Sequence, residues 1–152
     1  MTLEEKVRAD LLAASKEGNA LAQETLRGLL ASLHNEVIRK RSSGKEEELS
    51  DEETLSLLSR ETKKRKESLE IFKKAGRDEL ARKEEQELSI LEEYLPPQMS
   101  EEEIKSKIDE VIKEIEPSGP QDFGKVMGVL MRDLRGRADS ALVGKFLKEK
   151  LE

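Results

Sequence analysis

Apolar residues recur every three or four positions along most of the chain, which is the spacing of one face of an α-helix. Short polar or Gly- and Pro-containing breaks interrupt this pattern at Gly18-Asn19, residues 42–49, Gly76, Pro96-Pro97, residues 117–120 and Gly136. Between the breaks, the pattern predicts helices over residues 2–17, 20–41, 51–75 and 78–95, then three shorter helices that begin after Ser100, Asp122 and Asp139. The predicted fold class is therefore all-α, with seven helices.

Polar residues at the predicted helix starts favour these bounds. Ser50 with Glu53, and Ser100 with Glu103, have the spacing of a capping box, in which the serine and glutamate side chains each accept a backbone N–H. The fourth, sixth and seventh helices have candidate N-cap residues in Asp78, Asp122 and Asp139.

Two breaks organise the predicted helices. Gly76 lies between the third and fourth helices and predicts a helical hairpin over residues 51–95. Pro96-Pro97 ends the fourth helix, because proline lacks the backbone N–H that a helix needs. We therefore predict a long-helix N-terminal domain over residues 1–97 and a compact three-helix domain over residues 98–152.

The two parts differ in charge. The 152 residues carry a formal net charge of −6. Residues 117–152 contain seven lysines and arginines against five acidic residues, a net charge of +2, whereas residues 1–116 have a net charge of −8. The basic end of the chain is therefore the better candidate for contact with a polyanion.

Composition excludes several kinds of site. With no cysteine, the chain has no disulfide, no Cys-ligated zinc and no iron–sulfur cluster, and its single histidine, His34, makes a His-rich metal site or a Ser-His-Asp triad a poor prediction. Four aromatic residues are too few for a large β-sandwich core. We expect no catalytic residues, no metal and no cofactor.

The chain also lacks the patterns that address a protein to a membrane. No apolar run approaches the roughly 18 residues of a transmembrane helix. The first five residues are acidic and are not followed by an apolar core, so we expect no signal peptide. The sequence thus leads us to expect a cytoplasmic protein without a membrane partner.

Two basic clusters lie in the N-terminal part. Residues 60–68 contain no apolar side chain and include Lys63, Lys64 and Lys66, which form either a phosphate-binding face or a solvated, paired face. For the second interpretation, a hairpin about Gly76 places residue 65 near residue 87 and residues 63–66 beside the acidic residues 84–87. The second cluster is Arg39-Lys40-Arg41, with Lys45 beyond it. It lies at a helix C-terminus, where the backbone dipole alone favours cations.

A third basic cluster lies in the C-terminal part. Arg132, Arg135 and Arg137 surround Gly136, just before a predicted helix start whose backbone N–H groups favour phosphate, and Lys125 and Lys145 flank this corner along the chain. The alternative is a solvated corner between two helices. Two further glycines, Gly124 and Gly128, are four residues apart and are interpreted as a site of close helix–helix approach.

Three stretches carry a resemblance to a known family: KRKESLEIFKKAGR at 64–77, ELSILEEYLP at 87–96, and GKVMG through GRAD at 124–139. Together they resemble the GatB/YqeY family of small proteins over nearly the whole chain. The resemblance implies an N-terminal helical domain followed by a three-helix domain similar to the tail of the GatB subunit of the tRNA-dependent amidotransferase. In that enzyme the tail contacts tRNA, while the amide chemistry resides in other domains, which this chain lacks.

The leading functional hypothesis is a non-catalytic module that binds tRNA or another structured RNA. Its phosphate-contacting residues would be Lys125, Arg132, Arg135, Arg137 and Lys145, with Lys63, Lys64 and Lys66 as a secondary basic face. The alternative is an adaptor that docks a protein partner through the hairpin at 51–95. A third hypothesis, implied by the resemblance alone, is participation in a glutamine-dependent carbon–nitrogen ligase.

Overall fold

The computed structural model describes residues 1–44 and 48–152, and over these residues the prediction of an all-helical chain is confirmed. The described residues form seven α-helices and one short 3-10 segment, and contain no strand. The helices are α1 (Leu3–Glu17), α2 (Ala20–Ser42), α3 (Asp51–Lys74), α4 (Asp78–Glu92), α5 (Glu101–Ile115), α6 (Phe123–Leu134) and α7 (Ser140–Leu151). Within this part of the chain, no helix has the length and apolar character needed to cross a bilayer.

Helix α4 ends three residues earlier than predicted, at Glu92 rather than Leu95. The backbone N–H groups of Tyr94 and Leu95 donate instead to the carbonyls three residues before them, at 3.1 Å each. The reason is Pro96, since a proline disfavours helical backbone at the residue before it.

Three of the five predicted N-caps form. Ser50 and Glu53 make both hydrogen bonds of a capping box, each at 3.1 Å. Ser100 accepts the Glu103 N–H at 3.2 Å, and Asp139 accepts the Ala141 N–H at 3.2 Å. The starts of α3, α5 and α7 are thus set by local hydrogen bonds that the sequence predicts.

The prediction of Asp78 as a cap is wrong, and Asp122 occupies the predicted N-cap position of α6 without a side-chain cap bond. Asp78 is the first helical residue of α4, where its charge still complements the helix dipole, and Arg77 occupies the cap position without a side-chain bond. Asp122 ends the 3-10 segment Pro120–Asp122, which leads directly into α6 without an extended cap residue, and its carboxylate accepts the Ser118 N–H at 2.7 Å.

The chain divides into two compact units, Met1–Leu95 and Pro96–Glu152. In the N-terminal unit, α1 and α2 pack against the hairpin of α3 and α4. The core consists of Val7, Leu26, Leu29, Leu33, Leu57, Leu58, Leu91 and Tyr94. The Tyr94 hydroxyl donates to Asp10 at 2.5 Å, which satisfies the polar end of this buried ring.

The C-terminal unit is a bundle of α5, α6 and α7 with its own apolar core. Its fully buried side chains include Ile108, Val126, Leu130, Val143 and Leu147. These residues lie at intervals of three or four within each helix, so each helix buries one stripe and exposes the opposite face. The exposed faces of α6 and α7 carry three of the five basic residues singled out in the C-terminal part, Lys125, Arg132 and Lys145.

Candidate nucleic-acid interface

Helices α6 and α7 form an antiparallel hairpin that sets the geometry of the candidate interface. A Cβ atom added at Gly144 of α7 would lie 3.5 Å from Cζ of Phe123 and 3.8 Å from Cε of Met127, both on α6. The buried residues Val126 and Val143 each come one position before this contact. In an antiparallel pair, positions displaced in the same direction along each chain turn to the same side, so both valines point into the core.

The residues one position after this contact turn to the opposite side, toward solvent. They are Gly128 on α6 and Lys145 on α7, and both are exposed. Lys125 and Arg132 flank Gly128 at a spacing of seven residues, which is nearly two full turns of helix. Lys125, Gly128, Arg132, Lys145 and Lys148 together are called the α6–α7 face below.

The cations of this face have no polar partner among the described residues. Lys125, Arg132, Lys145 and Lys148 are exposed, and none of their side chains makes a hydrogen bond or ion pair within residues 1–44 and 48–152. Asp133, the acidic neighbour of Arg132, does not neutralise it. Its carboxylate lies 3.3 Å from Nζ of Lys107, and this hydrogen bond raises the pKa of Lys107.

The arginine corner differs from the expectation of free guanidinium groups. Gly136 has left-handed backbone geometry with φ 79°, and its carbonyl accepts from Nε2 of Gln98 at 2.6 Å. Arg137 is half-buried, its carbonyl accepts the Met99 N–H at 2.9 Å, and its Nε donates to the Pro97 carbonyl at 3.4 Å. Arg135 is exposed and also has an interaction partner. Arg137 therefore serves the turn, and Arg132 is the corner arginine that keeps its full donor set.

The interpretation of Gly124 and Gly128 as a close contact between helices of this chain is wrong. Both glycines are exposed, and an added Cβ at either position would meet nothing within 4 Å. The contact between α6 and α7 lies at Gly144 instead. Gly128 thus leaves a stretch of bare helix backbone in the middle of the basic face.

The secondary basic face is paired. Nζ of Lys64 lies 3.8 Å from a carboxylate oxygen of Glu61, and Nζ of Lys66 lies 3.7 Å from a carboxylate oxygen of Glu92. Lys63 also has an interaction partner. The contact with residues 84–87 is made by Arg65, which pairs with Glu84 at 3.4 Å and with Glu87. This pairing favours the alternative of a solvated, neutralised seam over phosphate binding.

Glu87 is the most buried carboxylate of that seam, with 3% of its surface exposed. Burial raises the pKa of Glu87, while the neighbouring Arg65 guanidinium lowers it. The seam therefore joins α3 to α4 inside the protein and has little charge left to offer a ligand.

The cluster at the end of α2 is engaged as well. Arg39 pairs with Glu36, and Nζ of Lys40 lies 2.6 Å from Glu53 and 2.7 Å from the Glu48 carbonyl. The hydrogen bond from Lys40 lowers the pKa of Glu53 to about 2. Lys45 lies outside the described residues.

Lys148 was missed in the sequence analysis. It lies three residues after Lys145, so the helical repeat places it on the same side of α7, and this spacing is the signal that could have found it. Lys148 also borders a cavity of about 310 Å³ lined by Pro120, Phe123 and Leu151. Among the described residues, no group of three or more His, Cys, Asp or Glu side chains could hold a metal ion.

The sequence matches a known family model and several curated proteins. The family model described as YqeY-like protein matches residues 4–151. The relatives are proteins named altered inheritance of mitochondria protein 41, mitochondrial. The one from Pyrenophora tritici-repentis is 31% identical and covers 95% of this chain and 78% of its own length. The one from Candida glabrata is 30% identical, and the match covers 79% of this chain and 68% of that relative. The one from Lachancea thermotolerans is 34% identical, and the match covers 75% of this chain and 60% of that relative.

These names correct one expectation. Relatives that share about a third of their residues with this chain over most of its length are named as mitochondrial proteins. The expectation of a purely cytoplasmic location therefore does not stand.

Proposed function

Since the chain belongs to the YqeY-like family, we propose that it is a non-catalytic module that binds structured RNA, with tRNA as the candidate ligand, through the α6–α7 face. The observation that carries the proposal is the set of unpaired cations, Lys125, Arg132, Lys145 and Lys148, on one side of a helical hairpin. In every other basic cluster of the sequence analysis, the described cations have partners within the chain.

Unpaired surface cations favour phosphate because binding releases the counterions of the nucleic acid, whereas paired cations must first give up a carboxylate. The bare backbone at Gly128 adds a steric reason. Without a side chain at the centre of the face, a sugar–phosphate strand can approach the helix closely while Lys125 and Arg132 contact it from both sides. Such contacts position an RNA without reading its sequence.

The predicted residues differ in the role that this proposal gives them. Lys125, Arg132 and Lys145 are the phosphate-contacting residues, and Lys148 joins them. Arg135 remains a candidate at the edge of the face. Arg137 positions the turn through the Pro97 carbonyl and offers the RNA only its remaining N–H groups.

The first test is to neutralise the face. A triple variant Lys125→Gln, Arg132→Gln and Lys145→Gln is expected to bind tRNA at least about tenfold more weakly at 50 mM salt than the unaltered protein. The slope of log affinity against log salt is expected to fall by about one for each phosphate that the variant leaves unbound. Fluorescence anisotropy with labelled tRNA between 50 and 200 mM salt measures both quantities.

A matched control removes the same number of charges where they are already paired. The triple variant Lys64→Gln, Lys66→Gln and Lys83→Gln changes the net charge equally, but its side chains lie near Glu61, Glu92 and Glu24. It is expected to leave tRNA affinity within about twofold. If both variants lose the same tRNA affinity, the effect comes from overall charge and not from this face. If neither variant loses tRNA affinity, the α6–α7 face does not bind RNA.

The amide chemistry implied by the GatB resemblance stays a prediction. The residues that define the α6–α7 face are four cations and one glycine, which suit the binding of a polyanion. We therefore assign the face to binding.

A further inference from the structure

The far end of the α3–α4 hairpin, residues 63–87, carries an exposed apolar pair. Ile71 has 65% and Leu80 has 39% of its surface exposed. Among the described residues between 63 and 87, no apolar side chain belongs to the N-terminal core cluster or to the partly buried apolar residues packed against it. The end of the hairpin therefore extends beyond the core that holds its base.

Helical phase places the two apolar residues on the same side. Arg65 points toward α4, since it pairs with Glu84 and Glu87, and Phe72 lies seven residues further along the same face of α3. On α4, the buried Ala81 faces inward. Ile71 and Leu80 each come one position before an inward residue. Because the helices are antiparallel, both turn to the same side of the hairpin.

The position of Leu80 across from Ile71 follows from the register of the ion pairs. Ile71 lies six residues closer to the turn than Arg65. On α4, the residues six positions closer to the turn than Glu84–Glu87 are 78–81, and Leu80 is one of them. Nearer the base, α2 packs on the hairpin, and Lys83 of α4 lies 3.5 Å from Glu24 near the start of α2. The exposed pair thus lies beyond the end of the helix that covers the base.

Unpaired cations border this apolar pair. Lys73, Lys74 and Arg77 are exposed, lie within seven residues of sequence that contain no acidic side chain, and have no polar partner among the described residues. The nearest acidic residues along the chain are Glu70, which is exposed and lies three residues before Lys73, and Asp78. Asp78 and Glu79 belong to the first turn of α4, where they complement its dipole.

We propose that the hairpin tip, defined as Ile71, Lys74, Arg77 and Leu80, docks an amphipathic acidic helix of a protein partner. The partner's apolar residues cover Ile71 and Leu80, and its carboxylates pair with Lys74 and Arg77. An RNA strand could use the cations but would leave both apolar side chains in water, so a protein is the better match. This surface lies in the N-terminal unit and does not depend on the α6–α7 face.

The test uses the full chain and three fluorescein-labelled peptides designed as amphipathic helices. All three share a face of leucines, and their flanking residues are glutamate, glutamine or lysine. The protein is expected to bind the glutamate peptide at least tenfold more tightly than the lysine peptide. The Ile71→Ser/Leu80→Gln variant and the Lys74→Glu/Arg77→Glu variant are each expected to weaken the glutamate peptide at least tenfold.

A matched control alters exposed apolar residues elsewhere in the same unit. The variant Leu12→Ser/Ile38→Gln replaces side chains that are 59% and 50% exposed. It is expected to bind the glutamate peptide as the unaltered protein does. All variants replace exposed residues, so melting curves are expected to show that each remains folded.

Several results would overturn the proposal. These are no peptide binding at millimolar concentration, equal binding of the acidic and basic peptides, or an equal reduction in affinity in the control variant. Sedimentation would assign the tip to a second copy of the chain if it showed a dimer that only the Ile71/Leu80 variant dissociates. If the tip variants bound tRNA more weakly than the unaltered protein, the hairpin tip would be an RNA-binding surface instead.

Discussion

Glu87 and Arg65 show how a single ion pair inside the hairpin affects stability. Glu87 is 3% exposed, and burial raises its pKa. Replacing Arg65 with Met would leave Glu84 and Glu87 without their shared cation. We expect a loss of about 2 kcal/mol in the free energy of unfolding at pH 7.5, because an unpaired buried charge is costly.

The pH dependence of that loss follows from the direction of the pKa shift. Without Arg65, the pKa of Glu87 rises further, so the carboxyl takes up a proton as the pH falls and its desolvation cost disappears. The destabilisation should therefore be largest at pH 7.5 and smaller at pH 4.5, measured by urea unfolding at both values. Arg8→Met, which removes an exposed pair with Glu4, serves as a control with little expected effect at either pH. A loss that does not change with pH would exclude the charge of Glu87 as its cause.

Residue-level detail at this seam could be predicted only in part. The spacing about Gly76 correctly placed residue 65 near residue 87. In a helical hairpin, two residues at equal distances along the chain from the turn lie opposite each other. The sequence analysis set the whole stretch 63–66 beside residues 84–87 and did not single out Arg65. A helix turns by about 100° per residue, so four consecutive side chains cannot all face the same stretch of the neighbouring helix. Arg65 pairs with Glu84 and Glu87, whereas Lys66 reaches Glu92 further along α4.

At the scale of the element, Gly128 weakens α6 with no packing gain among the described residues. Gly128→Ala should raise the free energy of unfolding of the C-terminal unit by about 0.5–1 kcal/mol, because alanine restricts the unfolded chain and meets nothing within 4 Å. If RNA approaches the backbone there, the same variant should bind tRNA several-fold more weakly. Melting curves and tRNA anisotropy on one sample separate the two effects.

Gly144→Ala is the matched control, since it alters a helical glycine that faces inward. Its Cβ would make ordinary contacts with Phe123 and Met127, so stability should rise by a similar amount while tRNA affinity stays unchanged. A Gly128→Ala protein that is more stable and binds tRNA normally would contradict the close approach of RNA to α6.

The orientation of Gly128 could have been predicted from the sequence. It lies two residues from both Val126 and Leu130, which is about 200° around the helix and therefore away from the core stripe. The same periodicity predicted all seven helices. What periodicity could not supply was the pairing of each cation, because the spacing of a lysine on a solvent face is the same whether or not a carboxylate from another helix reaches it.

At the scale of the whole molecule, each compact unit has its own apolar core. We predict that residues 1–97 and residues 98–152, expressed separately, each keep helical circular dichroism and a cooperative thermal transition. The core of the shorter fragment supports only about 3–5 kcal/mol of stability, so its transition should lie below that of the full chain.

The two fragments also separate the two proposed surfaces. The α6–α7 face lies entirely within 98–152 and the hairpin tip entirely within 1–97. The first fragment should bind the acidic peptide but not tRNA, and the second should bind tRNA within a few-fold of the full chain but not the peptide. A folded 98–152 fragment with no tRNA affinity would show that Lys125, Arg132 and Lys145 are insufficient for binding. An unfolded one would show that the core around Val126, Leu130 and Leu147 needs the rest of the chain.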